Sequence, residues 1–459
     1  MTRSIGSLLL AVGMLCSACA WAQNDTGTGT SDNSAPTQPG PKPAFTYPDT
    51  SPSLDFLTGS IENSSLTLGI GTGFSYYSNT YGLTTTPNQS WWLFHVTPSI
   101  RIQQFLPKLS WHASYSGGFQ TYTAQSGAGN PNNNLFSSVA GAGFIWQMAR
   151  RWQLSGDDNF RHSANPFDSY LTTPGNPTAN NPNPVVYTPL TSFTQNFAQM
   201  TLTNQLSKTD TLSFNGTANL RNTSTYNVVN SVPFYNLVSY GGRGSYSHQF
   251  SPRFSLGAGY DYNSLDFGRG QQRSGIQTIS LTSSYVLRPN MTISGWIGPE
   301  YTSTKTVVGI PINGQVYYFA EYGSLWSTSL GATFGWRDLR NAVTASFIRS
   351  VSDGGGILAT TQVNAFNASY RRMITPKLDL GINGRYAHDI SITLSSRSFD
   401  NFYVTATGNY KFTKSLVATL NYSRLHQAQS SAILLGSSSY DANVVGGSLS
   451  YSWNHPLGR

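Results

Sequence analysis

Between Trp91 and Tyr122 the chain alternates apolar and polar residues with a period of two. Trp92, Phe94, Val96, Pro98, Ile100 and Ile102 carry the apolar side of the first arm, with His95, Thr97, Ser99, Arg101 and Gln103 between them. After Leu106-Pro107-Lys108 the alternation resumes in Leu109, Trp111, Ala113, Tyr115, Gly117 and Phe119, opposed by Ser110, His112, Ser114, Ser116, Gly118 and Gln120. Side chains of a strand point to opposite faces in turn, so each arm reads as a strand with one apolar and one wet face. Each arm keeps the pattern for about eleven residues, the length a tilted strand needs to cross a bilayer.

The same unit recurs to the C-terminus. No run of 18 apolar residues exists beyond the extreme N-terminus, which excludes spanning helices there. Only 10% of residues are charged and 13% are aromatic, where soluble domains carry roughly 25% charge. The expected fold is all-β: a transmembrane antiparallel up-and-down β-barrel of about eighteen strands, preceded by a signal peptide and a disordered linker. Short connections such as Leu106-Pro107-Lys108, Ala149-Arg150-Arg151 and Ser251-Pro252-Arg253 alternate with long ones rich in Gly, Asn, Ser, Thr and Pro. Such barrels place tight turns in the periplasm and long loops outside. The counts of short and long connections require an even strand number with both termini on one side. Strands are expected at 290–301 and 325–336, with a long loop between them.

Residues 1–22 read as a secretory signal, with Arg3, an apolar run from Ile5 to Leu15, and Ala20-Trp21-Ala22 before Gln23. A lipid attached at Cys19 is the alternative, but Cys16 stands where that signal needs Leu. Residues 23–60 lack the aliphatic content to bury a core and read as a disordered periplasmic linker; residues 61–459 form the barrel. Both cysteines lie in the signal, which leaves the mature chain without thiol or disulfide chemistry.

The formal net charge is +8. Its excess is concentrated in the short turns, at Lys108, Arg150, Arg151, Lys208, Arg253 and the stretch from Arg371 to Lys377 among others. That directs the basic balance to a membrane surface rather than to nucleic acid, with a periplasmic docking surface as the other reading. Aromatic residues on the apolar parity cluster at both strand ends: Trp111, Trp152 and Trp453 by the turns, Trp92, Phe119 and Trp326 by the loops. These are the two interfacial girdles of a barrel. One place breaks the pattern. Parity puts Asp158 toward lipid, where a bare carboxylate costs about 2–4 kcal/mol, so a bulge at Gly156-Asp157-Asp158 is expected.

The other parity supplies the lumen. Its candidate pore-lining residues are His95, Arg101, His112, Arg221, Arg243, Asp261, Trp296, Glu300, Asp379 and Arg385, with Trp91, Tyr122 and Tyr403. Guanidinium groups and aromatic faces suit anionic solutes and sugars, and they equally suit a wall that bonds to itself. Hydrolase signatures G-x-S-x-G and H-E-x-x-H do not occur. His95 and His112 fall at different heights, so no catalytic residue, metal site or cofactor is expected. The longest loop, from Ala164 to Ser192, has Asp168 as its only charge; it folds into the barrel or stands in solvent.

The stretch Thr292-Ile293-Ser294-Gly295-Trp296-Ile297-Gly298-Pro299-Glu300-Tyr301 and the basic, Pro-containing turns resemble the outer-membrane β-barrel porin class, including barrels associated with exopolysaccharide export. The resemblance covers about 65–453. It implies passage or export of hydrophilic solutes, saccharides among them, across a Gram-negative outer membrane. The last strand, Val445 to Trp453, resembles the segment recognised by the barrel-assembly machinery, although Asn454 to Arg459 follow it. The expected partners are therefore outer-membrane lipid, that machinery and the solute. An outer-membrane hydrolase and a surface structural or adhesin barrel are the alternatives, and the oligomeric state is left open.

Overall fold

The computed structural model describes residues 64–78, 90–124, 134–163, 191–225, 236–268, 270–312, 315–353, 360–392, 398–429 and 439–457. The expected signal and linker, and residues 164–190 of the loop expected from Ala164 to Ser192, lie outside the described residues. Among the described residues eighteen strands follow one another. They are β1 (Ser65–Ser78), β2 (Trp91–Phe105), β3 (Leu109–Ala124), β4 (Asn134–Ala149), β5 (Trp152–Ser163), β6 (Thr191–Gln205), β7 (Asp210–Thr225), β8 (Leu237–Ser251) and β9 (Phe254–Phe267). The second half comprises β10 (Gln272–Arg288), β11 (Met291–Ile312), β12 (Gln315–Arg337), β13 (Asn341–Ser352), β14 (Thr361–Thr375), β15 (Leu378–Ser391), β16 (Ser398–Lys411), β17 (Leu416–Gln429) and β18 (Ser439–Pro456). Each pairs antiparallel with its neighbours, and β1 pairs with both β2 and β18, so the sheet closes on itself. Closure removes the free edges that a membrane-spanning sheet could not leave unpaired.

Parity sorts the two faces as the alternation requires. Leu68, Ile70 and Phe74 of β1, Trp92, Phe94 and Val96 of β2, and Ile279, Leu281 and Tyr285 of β10 are exposed on the outer wall. Their partners across the ladder continue that face, as in Ile70 with Tyr451 and Phe74 with Phe94. Rings meet along both rims: Tyr76 with Trp92, Phe119 with Phe136 and Tyr301 with Trp326 at one end, Phe250 with Phe254 at the other. An exterior of exposed apolar side chains bounded by aromatic rims is a lipid-facing surface, and the chain is a transmembrane β-barrel of the outer-membrane kind.

Proline sits inside two strands, Pro98 in β2 and Pro299 in β11. Each lacks the N–H its ladder needs, and the pairing skips two rungs beside each, between Val96 and Ser99 against β3 and between Thr278 and Leu281 against β11. A glycine accepts the resulting close approach in both cases. A Cβ on Gly118 would lie 2.0 Å from the Val96 carbonyl oxygen, and one on Gly298 would lie 1.7 Å from that of Ile279.

Three expectations need correction. The bulge at Gly156-Asp157-Asp158 is absent: β5 runs in unbroken register against β4 from Gln153 to His162 and against β6 throughout. The irregularity lies at the turn end instead, between Gln147 and Ala149. Asp158 keeps its outward parity between Ala142 and Ala198, whose small side chains leave room for it, and its Oδ1 is covered. Second, the loop expected between residues 301 and 325 is strand, since β11 and β12 continue to Ile312 and Gln315. Third, Arg371 is not a turn residue; it lies on the wall of β14 opposite Gly381.

Candidate solute pathway through the barrel

The ladder between β12 and β13 stops early. Its outermost rung joins Leu330 to Arg349, although β12 extends fifteen residues beyond and β13 runs on to Ser352. Past that rung β13 stays with β14, to Ser352 opposite Thr361, and the pair passes inside the wall. Several contacts fix its course. The Val351 side chain packs with Leu237, Leu265, Phe267 and Ile276, all inward residues of β8, β9 and β10. The Val351 N–H donates to the Glu300 carboxylate, at 3.1 Å to Oε1 and 3.4 Å to Oε2. The Thr360 hydroxyl lies 2.6 Å from that of Ser274 and accepts from Gln272 Nε2 at 3.3 Å. Asp353 forms a buried ion pair with Arg221 of β7 at 3.2 Å. The tip of β13 and the start of β14 therefore lie across the lumen face of β7 to β11 and narrow the external half of the barrel.

Four of the sequence-identified lumen residues converge below this crossing. Arg243, Asp261, Trp296 and Glu300 line one small cavity together with Val351 and Ser329. Arg243 pairs with Asp261 at 3.6 Å. The Trp296 ring occupies the space over Gly331 on β12. Glu300, only 2% exposed, accepts from Ser327 at 2.9 Å and from Thr278 at 3.5 Å besides Val351. Its carboxylate thus replaces the β12 carbonyl that β13 no longer reaches, which is how a buried backbone donor stays satisfied where the ladder ends. Arg221 joins the group through Asp353.

The others are distributed around the wall. Asp379 is bound by Arg371 Nε at 2.5 Å. Arg385, opposite Asn367 and Tyr403, is in electrostatic contact with Asp389 on the same face of β15. The His95 ring lies over Gly73 of β1, remote from His112. His112 meets Asp157 instead: an added Cβ on Gly143 would lie 2.5 Å from both His112 Cε1 and Asp157 Oδ1. Arg101 is within electrostatic reach of the same imidazole. Trp91 is buried, and the Tyr122 side chain is outside the described ones.

Inward residues of the turn-side half, such as Ser114, Thr201, Ser213 and Thr344, keep partial exposure, whereas those of the loop-side half, such as Ser274, Thr302 and Asn401, are buried. The lumen is accessible from the short-turn end and tightens toward the long-loop end. The inward hairpin was hidden from sequence reasoning because β13 keeps ordinary strand alternation up to the point where it leaves its neighbour. The outward extension of β11 and β12 had a signal in Asn313-Gly314, the residue pair that favours a two-residue hairpin turn, flanked by Thr, Val, Tyr and Phe.

No family model and no curated protein matches the chain. Solved barrels do: OccAB4 of Acinetobacter baumannii, at 11% identity and a TM-score of 0.42, over 86% of this chain and 99% of that one. OccK8 (OprE) of Pseudomonas aeruginosa is 12% identical with a TM-score of 0.42, over 86% and 99% of the two chains. OpdK of the same organism, solved with vanillate, is 11% identical with a TM-score of 0.41, over 85% and 99%. Superpositions at this level add nothing to what the strand register itself establishes.

Proposed function

We propose that this barrel is a passive outer-membrane channel for small hydrophilic solutes, with its bore set by the inward tip of β13 and β14. The observation that carries the reading is the lumen wall. Its charges are matched across strands, as Arg221 with Asp353, Arg243 with Asp261 and Arg371 with Asp379, and polar hydroxyls fill the positions between. Barrels of sixteen to eighteen strands leave room for an aqueous channel. A wall of paired charges presents hydrogen-bonding groups without a strong field of one sign, which suits polar or zwitterionic solutes better than highly charged ones. Saccharides fit such a wall through hydroxyl contacts. Stacking on Trp91 or Trp296 has less support, since both rings are buried in the wall.

Refolded protein in a planar bilayer tests the reading. Discrete conductance steps, and swelling of protein-bearing liposomes in sugar solutions, are the expected result. A barrel that folds and inserts but carries no current overturns it.

A further inference from the structure

The outer wall of β9 to β12 carries two rows near the loop-side end, each running from strand to strand across the ladders. The first belongs to the aromatic rim: Tyr262 is opposite Gln277, Gln277 opposite Tyr301, and Tyr301 opposite Trp326. Four residues further out on every one of these strands lies a second row, Asp266, Arg273, Lys305 and Tyr322, again each opposite the next. At the rise of a strand that is about 13 Å further along each strand, and about 10 Å higher once the tilt of barrel strands is counted. All eight share the outward parity, so the second row stands where the apolar zone has ended and lipid headgroups begin.

The second row is built unlike a solvated strand end. Arg273 and Lys305 are directly opposed across the ladder, a like-charge arrangement that is destabilising unless an anion is shared between them. One acid is present: Asp266 accepts from Arg273 Nε at 2.8 Å and from the Gly270 N–H at 2.6 Å. The row keeps an excess positive charge. Lys305 Nζ sits 5.7 Å from the centre of the Tyr322 ring, and that ring is 72% exposed. Trp326, Tyr322 and Tyr318 repeat at every fourth residue on this one face, each at least 70% exposed, along strands that continue past their neighbours.

We infer that the outward face of β10, β11 and β12 is a docking site for the phosphorylated saccharide headgroup of an outer-leaflet glycolipid. Arg273 and Lys305 engage the phosphate, Arg through its fork and Lys as a point charge. The Tyr322 and Tyr318 rings stack on the sugars. The occupant is a lipid and not a free anion because the site continues the lipid-facing rim upward without a break. The inference rests on the membrane placement of the barrel and not on conduction, so a sealed barrel would leave it standing.

The test uses the full refolded chain in nanodiscs with phosphorylated glycolipid, with the same glycolipid dephosphorylated, or with phospholipid alone. Retained glycolipid is counted by native mass spectrometry. Wild-type protein is expected to retain the phosphorylated form selectively. R273E combined with K305E should weaken retention by roughly tenfold or more, and Tyr322→Ala by a smaller factor, while Lys305→Arg preserves it. Heat-modifiable migration confirms that each variant is a folded barrel, and Lys305→Gln serves if the double reversal is not. Equal retention by wild type and variants overturns the inference, as does equal retention of the dephosphorylated lipid. Displacement by millimolar inorganic phosphate would assign the site to a free anion. Dimers that the variants disrupt with glycolipid retention unchanged would assign it to a second copy. Either result overturns it.

Discussion

The main-chain N–H of Val351 ends on the side chain of Glu300, 3.1 Å away, where a regular sheet would offer it a carbonyl of β12. A carboxylate on the lumen face of β11 therefore holds the strand that crosses the bore. Glu300→Ala removes this partner and leaves a buried donor unsatisfied, a cost of about 1–3 kcal/mol. The crossing should loosen. The expected outcome is a larger single-channel conductance and faster hydrogen exchange at the Val351 amide, with the barrel still formed.

The second tether is Arg221 with Asp353, an ion pair whose side chains are 5% and 13% exposed. Removing one partner strands a buried charge and is expected to cost about 3–5 kcal/mol. Replacing both, as Arg221→Met with Asp353→Leu, should recover most of that loss. A double-mutant cycle on unfolding in urea checks it; a loss in the double variant equal to the sum of the two single losses would show that the pair is uncoupled.

Gly298 and Gly118 accept the close backbone approach beside the two strand prolines, Gly298 as the residue before Pro299 and Gly118 on the strand paired with that of Pro98. Gly298→Ala drives a methyl into the Ile279 carbonyl and should destabilise the barrel by about 1–3 kcal/mol. Gly216 is a suitable control, because no atom lies within 4 Å of where its Cβ would stand. Gly216→Ala is expected to leave the unfolding midpoint in urea near the wild-type value.

The turn at 338–340 makes a pH prediction. Asp338 Oδ1 accepts from the backbone N–H groups of Arg340 and Asn341, and the Asn341 side-chain amide donates to both oxygens. These bonds, that of the Asn341 side chain first, hold the carboxyl below the usual carboxylate range. A depressed pKa stabilises the folded form above the unfolded value of about 3.9, and the contribution is lost as pH falls through the lower folded value. Wild type should lose turn stability in acid, and Asp338→Asn should flatten that dependence. Hydrogen exchange at Asn341 between pH 5 and pH 2 reads it directly.

The closed antiparallel barrel and its strand number were readable from odd and even positions and from the alternation of short and long connections, because lipid and water impose opposite chemistry on adjacent residues of a strand. Arg243, Asp261, Trp296 and Glu300 could be assigned to the lumen in this way, but their convergence could not. It depends on which strands are neighbours at which height, and on β13 leaving β12 at Arg349. Asp158 misled for a related reason. Parity gives a direction and not a neighbourhood, and Ala142 and Ala198 beside it make room for a carboxylate on a wall that parity alone assigns to lipid. Arg371 looked like a turn residue because four of the next six positions are Arg, Lys, Thr or Pro, while the ladder to Gly381 holds it in the wall.

Because β13 turns away at Arg349, the barrel is a full hoop at its waist and a notched cup at its lip. Above Leu330 one flank of β12 faces no neighbouring strand among the described residues, so the wall of paired strands is lower on that side. In the conduction we propose, a solute that clears the crossing meets a lower wall between the tall ribbon of β11 and β12 and the sunken start of β14.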